Sequence, residues 1–334
     1  LPLDDVGLDA AWDDMVWKTG RDFVAAAQLV REDPRLHPLL VTSFGCGPDS
    51  ALLSTLEDLF AGRPFLTLEL DEHFADAGLV TRCEAFLHEC RQQAPARQEA
   101  PSVAAAQVLI PRRAPTSRVV YTSNASEHYL ALRAAFHSVG VRAELLPPPD
   151  RRTEELGRQA TMSRACLPFI FFAGDALRMP EMPGFRAGDS AYFLATNDES
   201  CKVNQFARML RGVLDRAGLG EVELFAPRTS MEAADSFRVL GPLFERRFWN
   251  ALVAVDLLFC KLLDVRPYET EPGRADRVYA PWVARVAAAV GQPEFHATVV
   301  EALDALDAVP IDRSQPRPCI GLTGEHYVAT LPYA

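Results

Sequence analysis

Cys46, Cys166 and Cys201 are the residues whose type and placement point most directly to chemistry. Cys46 stands in Ser43-Phe44-Gly45-Cys46-Gly47-Pro48-Asp49-Ser50, Cys166 in Ala165-Cys166-Leu167-Pro168, and Cys201 in Ser200-Cys201-Lys202. Cys46 and Cys201 each follow a β-rich run, and all three precede a run with helical spacing. Free N–H groups and the positive end of the helix dipole favour anions at a helix N-terminus, and so favour thiolates there. In an open α/β sheet the loops after the strand ends gather on one edge, where ligands bind. Three thiolates gathered there suit an iron–sulfur cluster, and with three ligands one iron of a cubane stays open. Gly45 and Gly47 let the backbone approach closely and can donate N–H bonds to cluster sulfurs. The opposing reading is that each cysteine is a small apolar core residue. No Cys-x-x-Cys pair decides between them.

The other four cysteines read as core. Cys83 and Cys90 lie seven residues apart on one helix face, Cys260 sits in an apolar helical run, and Cys319 in a β-rich run. Asp71-Glu72-His73 follows a strand and could supply metal or acid–base groups at the edge that holds Cys46. It could equally be a polar turn in which Asp71 caps the next segment. Thr81-Arg82 and Glu84 read as a buttress for that edge or as an exposed helix face. Arg266-Pro267-Tyr268-Glu269 reads as a loop clasp, with Arg266 a candidate anion contact. The scattered His37, His88, His128, His137 and His296 read as surface or core.

The elements that must position these residues alternate. Residues 9–33 read as an amphipathic helix, 39–44 as a strand, 52–59 as a helix, 65–70 as a strand and 79–90 as a helix. Residues 91–117 lack periodicity and read as a linker. The alternation resumes with strands at 119–122, 143–146, 192–196 and 222–225, and helices at 127–139, 166–179 and 203–217. Residues 231–308 read as mostly helical and 319–322 as a last strand. This order predicts an α/β chain with two flavodoxin-like parallel-sheet units and a mostly helical C-terminal segment. The expected boundaries are 1–93 for the first unit with its N-terminal helix, 94–117 for the linker and 118–230 for the second unit. A helical segment follows over 231–316, and a strand opening a further domain over 317–334. The chain is accordingly expected to be a piece of a longer polypeptide.

Its 334 residues are enough for about two domains. A net charge of −11 argues against a generic nucleic-acid or anionic-membrane surface. No apolar run is long enough to span a membrane and no signal segment opens the chain, so a cytoplasmic protein is expected. Seven cysteines, an odd number, argue against a disulfide framework. Lys18, Lys202 and Lys261 are the only lysines, which reads first as coding bias.

The same residues resemble a known family, the 2-hydroxyacyl-CoA dehydratase superfamily, and within it the activase-associated proteins. The matching stretches begin with 43–50, with Leu70-Asp71-Glu72-His73, and with Ala77-Gly78-Leu79 through Phe86. They continue with Ala165-Cys166-Leu167-Pro168, Gly174-Asp175, and Ala195-Thr196-Asn197 leading to Cys201. Val253 through Leu258, Arg266-Pro267-Tyr268-Glu269 with Pro272-Gly273, and Ile320 through Tyr327 complete them. They span about residues 38–330 in order. The resemblance implies an oxygen-sensitive iron–sulfur protein that takes low-potential electrons from an ATP-dependent activase. Catalytic members of that family use one electron to make a ketyl radical from a 2-hydroxyacyl-CoA thioester; others carry a double-cubane cluster and reduce small molecules. Carried over by position, Cys46, Cys166 and Cys201 would be the ligands of a 4Fe–4S cluster or of part of a larger one. Asp71, Glu72 and His73 would shape the edge beside it, in a homo- or heterodimer.

Where that family has Gly-Pro before the third cysteine, this chain has Glu199-Ser200, and Lys202-Val203 follows. Two other readings stand beside the redox one. A relative without a cluster would serve as a scaffold. The segment around Cys46 is also similar in part to the phosphate-cradling loop Ser-Gly-Gly-x-Asp-Ser of adenylating enzymes, although no Walker loop or G-x-G-x-x-G accompanies it.

Overall fold

The computed structural model describes residues 6, 8, 12, 15, 17–43, 47–60, 62–70, 76–92, 117–161, 165–197, 201–227 and 237–321. The chain opens with α1 (Lys18–Glu32), β1 (Leu39–Thr42), α2 (Pro48–Leu59), β2 (Leu66–Glu69) and α3 (Asp76–Gln92). β1 and β2 pair in parallel, from Leu39 opposite Leu66 to Thr42 opposite Glu69. Alternation along β1 turns Leu40 and Thr42 inward and leaves Leu39 and Val41 exposed. Leu40 packs with Val24 and Ala27 of α1, with Leu52, Leu53 and Leu56 of α2, and with Trp12 and Trp17. α3 buries none of its residues.

The second unit runs β3 (Val119–Thr122), α4 (His128–Ser138), β4 (Ala143–Leu145), α5 (Arg151–Ala160), α6 (Leu167–Arg178), β5 (Ser190–Phe193), α7 (Val203–Arg216) and β6 (Glu223–Phe225). Its four strands lie in the order β4-β3-β5-β6, every pairing parallel. The chain leaves β3 to one side for β4, then crosses to the other side for β5. The switch point of this flavodoxin-like sheet therefore falls between β3 and β5. Both faces are covered, so β5 is buried along its whole length. Tyr121 and Tyr192 face α6 and α7, while Val120, Ala191 and Phe193 face α4.

α5 and α6 pack as an antiparallel pair at unusually close range. A Cβ added to Gly157 would lie 1.9 Å from the Ile170 carbonyl oxygen, and one added to Gly174 would lie 1.9 Å from that of Thr153. Asp150 caps α5 by accepting from the Thr153 N–H, and Arg178 reaches back to Asp150 at 3.0 Å.

The C-terminal segment is helical: α8 (Pro242–Val265), α9 (Arg274–Ala288) and α10 (Phe295–Asp307). They share a core of Val255, Leu258, Leu262, Tyr279, Val283 and Leu306, into which Ala131 of α4 also packs. Residues 319–321 form no strand and Cys319 is exposed, which corrects the expected last strand and the expected burial of that thiol. Exposed Arg and Pro residues over 313–318 leave that stretch nothing apolar to bury. Cys260 is corrected likewise: it lies on the outer, exposed side of α8. Cys83 and Cys90 are half-buried rather than core, and burial pushes the Cys90 thiol up. No helix among the described residues is long and apolar enough to cross a membrane.

Candidate functional site

The first turn of α6 is set by Cys166 and Pro168. Cys166 occupies the N-cap with extended backbone angles, φ −60° and ψ 138°, and its carbonyl accepts from the Ile170 N–H at 3.1 Å. Pro168 sits in the first turn, where its missing N–H costs nothing. The first turn of α7 is similar. Lys202 is the N-cap, Cys201 precedes it, and the Cys201 carbonyl accepts from the Asn204 N–H at 3.2 Å. Phe169 near the start of α6 and Phe206 near the start of α7 meet with ring centroids 5.1 Å apart, and Phe172 joins at 6.2 Å. These aromatics set the N-termini of α6 and α7 side by side. Cys166 is half-buried against that cluster and Cys201 is exposed.

α7 also reaches the first unit at the same end. Lys202 Nζ donates to Ser50 Oγ at 2.9 Å, and Ser50 Oγ donates to the Gly47 carbonyl at 3.1 Å. Gly47 has a left-handed φ of +68° and open space where a Cβ would be. The Thr42 hydroxyl at the end of β1 donates to Asp49 Oδ2 at 2.5 Å, which anchors the start of α2 to the strand. The Arg208 guanidinium lies 4.4 Å over the Trp12 ring and holds the two units together further along α7. The start of α7 is thus tied on one side to the start of α2, and on the other to the start of α6.

Cys46 and Gly45, expected at this junction, lie outside the described residues, as do Asp71, Glu72 and His73. The strands leading to those two segments end in register, and the Leu70 N–H donates to the Thr42 carbonyl at 2.8 Å. Among the described residues no group of three or more His, Cys, Asp or Glu is arranged to hold a metal ion. The two described thiols fit thiolate ligation by position: each adjoins a helix N-terminus.

Other expectations resolve structurally. Thr81, Arg82 and Glu84 lie on the exposed face of α3. Glu269 accepts from the Gly273 and Ala275 N–H groups at 2.5 and 2.7 Å, so Arg266-Pro267-Tyr268-Glu269 clasps the loop that opens α9. These bonds hold the Glu269 carboxyl below its usual range. Arg266 pairs with Asp276 at 3.3 Å. His128 bridges elements: Nε2 meets Asp256 Oδ1 at 2.7 Å and ties α4 to α8, while Nδ1 lies 3.3 Å from Ser126 Oγ.

The sequence reading gave no role to two features. One is the Lys202–Ser50 tie. The other is Asp175, fully buried on α6 with neither carboxyl oxygen in a hydrogen bond. Burial pushes its carboxyl up to about 7, against the pull of the nearby Ser123 hydroxyl and Arg178 guanidinium. The signal for Asp175 was present: it is the single charge inside an apolar helical run.

Comparison of the chain with protein-family models, with curated proteins and with solved structures gives no match.

Proposed function

We propose that this chain is an iron–sulfur redox component in which Cys46, Cys166 and Cys201 hold a 4Fe–4S cluster or part of a double-cubane cluster. It would accept low-potential electrons from an ATP-dependent activase and pass them to a small-molecule or acyl-CoA substrate. The observation that carries the reading is the tying of three helix N-termini at one end of the molecule, α2 to α7 through Ser50 and Lys202, and α6 to α7 through Phe169 and Phe206. Each of these helix starts has a cysteine at the N-cap or within two residues of it.

A cluster held by three thiolates supplies a one-electron couple and leaves one iron open to a further ligand. The chain's own residues have separate tasks. The ammonium of Lys202 fixes Ser50 and so holds the start of α2 against the start of α7. Phe169, Phe172 and Phe206 exclude water on the α6–α7 side. Gly47 leaves room for close backbone approach. Asp71, Glu72 and His73 follow the neighbouring strand and would move protons at that edge.

The test is spectroscopic. The full chain, reconstituted anaerobically with ferrous iron and sulfide, is expected to turn brown and to give a paramagnetic signal on one-electron reduction. Cys201→Ser, at an exposed position where folding is unaffected, is expected to change or abolish that signal. A chain that stays colourless and silent is a scaffold, and the redox reading is then wrong.

A further inference from the structure

The loop that joins β3 to α4 ends in a nucleophile, a base and a carboxylate in hydrogen-bond sequence. Ser126 Oγ lies 3.3 Å from Nδ1 of His128, and Nε2 of the same ring lies 2.7 Å from Asp256 Oδ1. Ser126 closes the loop and His128 opens α4, whereas Asp256 comes from α8, 128 residues further along the chain.

The carboxylate fixes the tautomer of the ring. An ionised carboxylate only accepts, so Asp256 holds the proton of the neutral imidazole on Nε2. The lone pair is then on Nδ1, facing Ser126 Oγ. The Ser126 hydroxyl therefore donates to Nδ1, the polarity that general-base activation of a serine requires. The three groups stand in the order of an acyl-transfer triad with the two ring nitrogens exchanged. Such triads are defined by geometry and role, not by sequence position.

The placement suits the chemistry. The loop flanks the switch point between β3 and β5, the crevice where open α/β sheets bind ligands. Ala125 packs on Phe171 of α6, with Tyr129 against them, which holds the loop in place. Ser126 is only partly buried and so within reach of a substrate. Its carbonyl accepts from the Tyr129 N–H at 3.1 Å, which puts the serine at the first turn of α4. The first N–H groups of a helix have no partner within it and form the positive end of its dipole, where a developing oxyanion is stabilised. Two carboxylates, Glu127 beside the serine and Asp256 beyond the ring, repel an anionic acyl chain.

We infer that Ser126, His128 and Asp256 form a hydrolytic site for small, uncharged carboxylic esters. Ser126 Oγ bonds to the ester carbonyl carbon as its proton passes to His128 Nδ1. The carbon–alkoxide bond breaks, and the leaving alcohol takes that proton. Water then releases the acid from Ser126 by the same route. Asp256 is a positioning residue that acts through the ring. The site uses none of Cys46, Cys166 or Cys201, and it stands or falls independently of the cluster.

A fluorophosphonate probe on the full chain, with the adduct mapped by peptide mass, tests it. Ser126 is expected to take up the phosphonyl group with loss of fluoride, and Ser126→Ala to lose the adduct. The natural chain is also expected to hydrolyse p-nitrophenyl butyrate at least about tenfold faster than Ser126→Ala, a difference that removes the contribution of exposed thiols. His128→Gln is expected to slow labelling by about a hundredfold or more. Asp256→Asn keeps a bond to Nε2 but lets that nitrogen accept, which puts the ring proton on Nδ1; labelling is expected to slow at least about tenfold. Asp256→Glu, which keeps the acceptor, is expected to recover most of the rate. A tie that served only to hold α4 to α8 would survive Asp256→Asn with labelling unchanged. No adduct on Ser126 overturns the inference, as does labelling equally fast in His128→Gln or Asp256→Asn. Equal thermal melts of the variants keep misfolding out of the comparison.

Discussion

Asp175 shows how much a single residue can set. The Ser123 hydroxyl just after β3, the Arg178 guanidinium on α6 and the Asp150 carboxylate before α5 all act on its carboxyl, and its charge acts in turn on Tyr192 of β5. Burial raises its folded-state value to about 7, from the ordinary carboxyl value of 3.8 in the unfolded chain. The folded chain therefore holds an extra proton between those two values. The stability linked to Asp175 is complete below about 4 and is lost as pH rises through 7, a loss of a few kcal/mol. Asp175→Asn removes the titration. Urea midpoints between pH 5 and 8 are expected to fall more steeply for the natural chain than for the variant, which should be the more stable at pH 8. Parallel curves would contradict this account. The cysteines themselves were legible in the sequence because thiols are rare and because Cys166-Leu167-Pro168 is a helix start. The Lys202–Ser50 bond was not, since its partners stand 152 residues apart and neither carries a local signature.

At the scale of elements, β1, β3 and α7 were legible because short β-branched runs and helical apolar spacing mark them strongly. α5 was not: it is polar, follows three prolines and carries a glycine, all poor helix signals. Packing on α6 explains it, and the two glycines make that packing testable. In an exposed helix, Gly→Ala stabilises by up to about 1 kcal/mol. Gly174→Ala is expected instead to destabilise by about 2–3 kcal/mol, because its Cβ would drive α5 off α6. Gly78→Ala in α3 meets nothing within 4 Å and is expected to be neutral or stabilising. Equal melting temperatures for the two variants would refute the close-packing account. Cys319 was misread because an apolar tetrapeptide alone cannot make a strand without a neighbour to pair with.

On the scale of the whole molecule, the all-parallel pairing of β4-β3-β5-β6 is what the alternation of elements predicts, and Cys201 lies after β5 at the start of α7. The contact of α7 with the first unit was invisible in the sequence, because it depends on Arg208 over Trp12 and on Lys202 reaching Ser50. Lys202→Met is expected to loosen that contact without unfolding either unit, read as faster amide exchange at the start of α2 and an unchanged α8–α10 core. Uniform exchange across the chain would oppose it. The central claim is that three distant thiols serve one cluster. Iron and acid-labile sulfide per chain after anaerobic reconstitution test it most directly, measured for the natural chain, for Cys46→Ser, Cys166→Ser and Cys201→Ser, and for Cys260→Ser as control. The account predicts about four irons in the natural chain and the control, with a clear loss in each of the other three. An iron-free natural chain, or the same iron content in all five proteins, would contradict it.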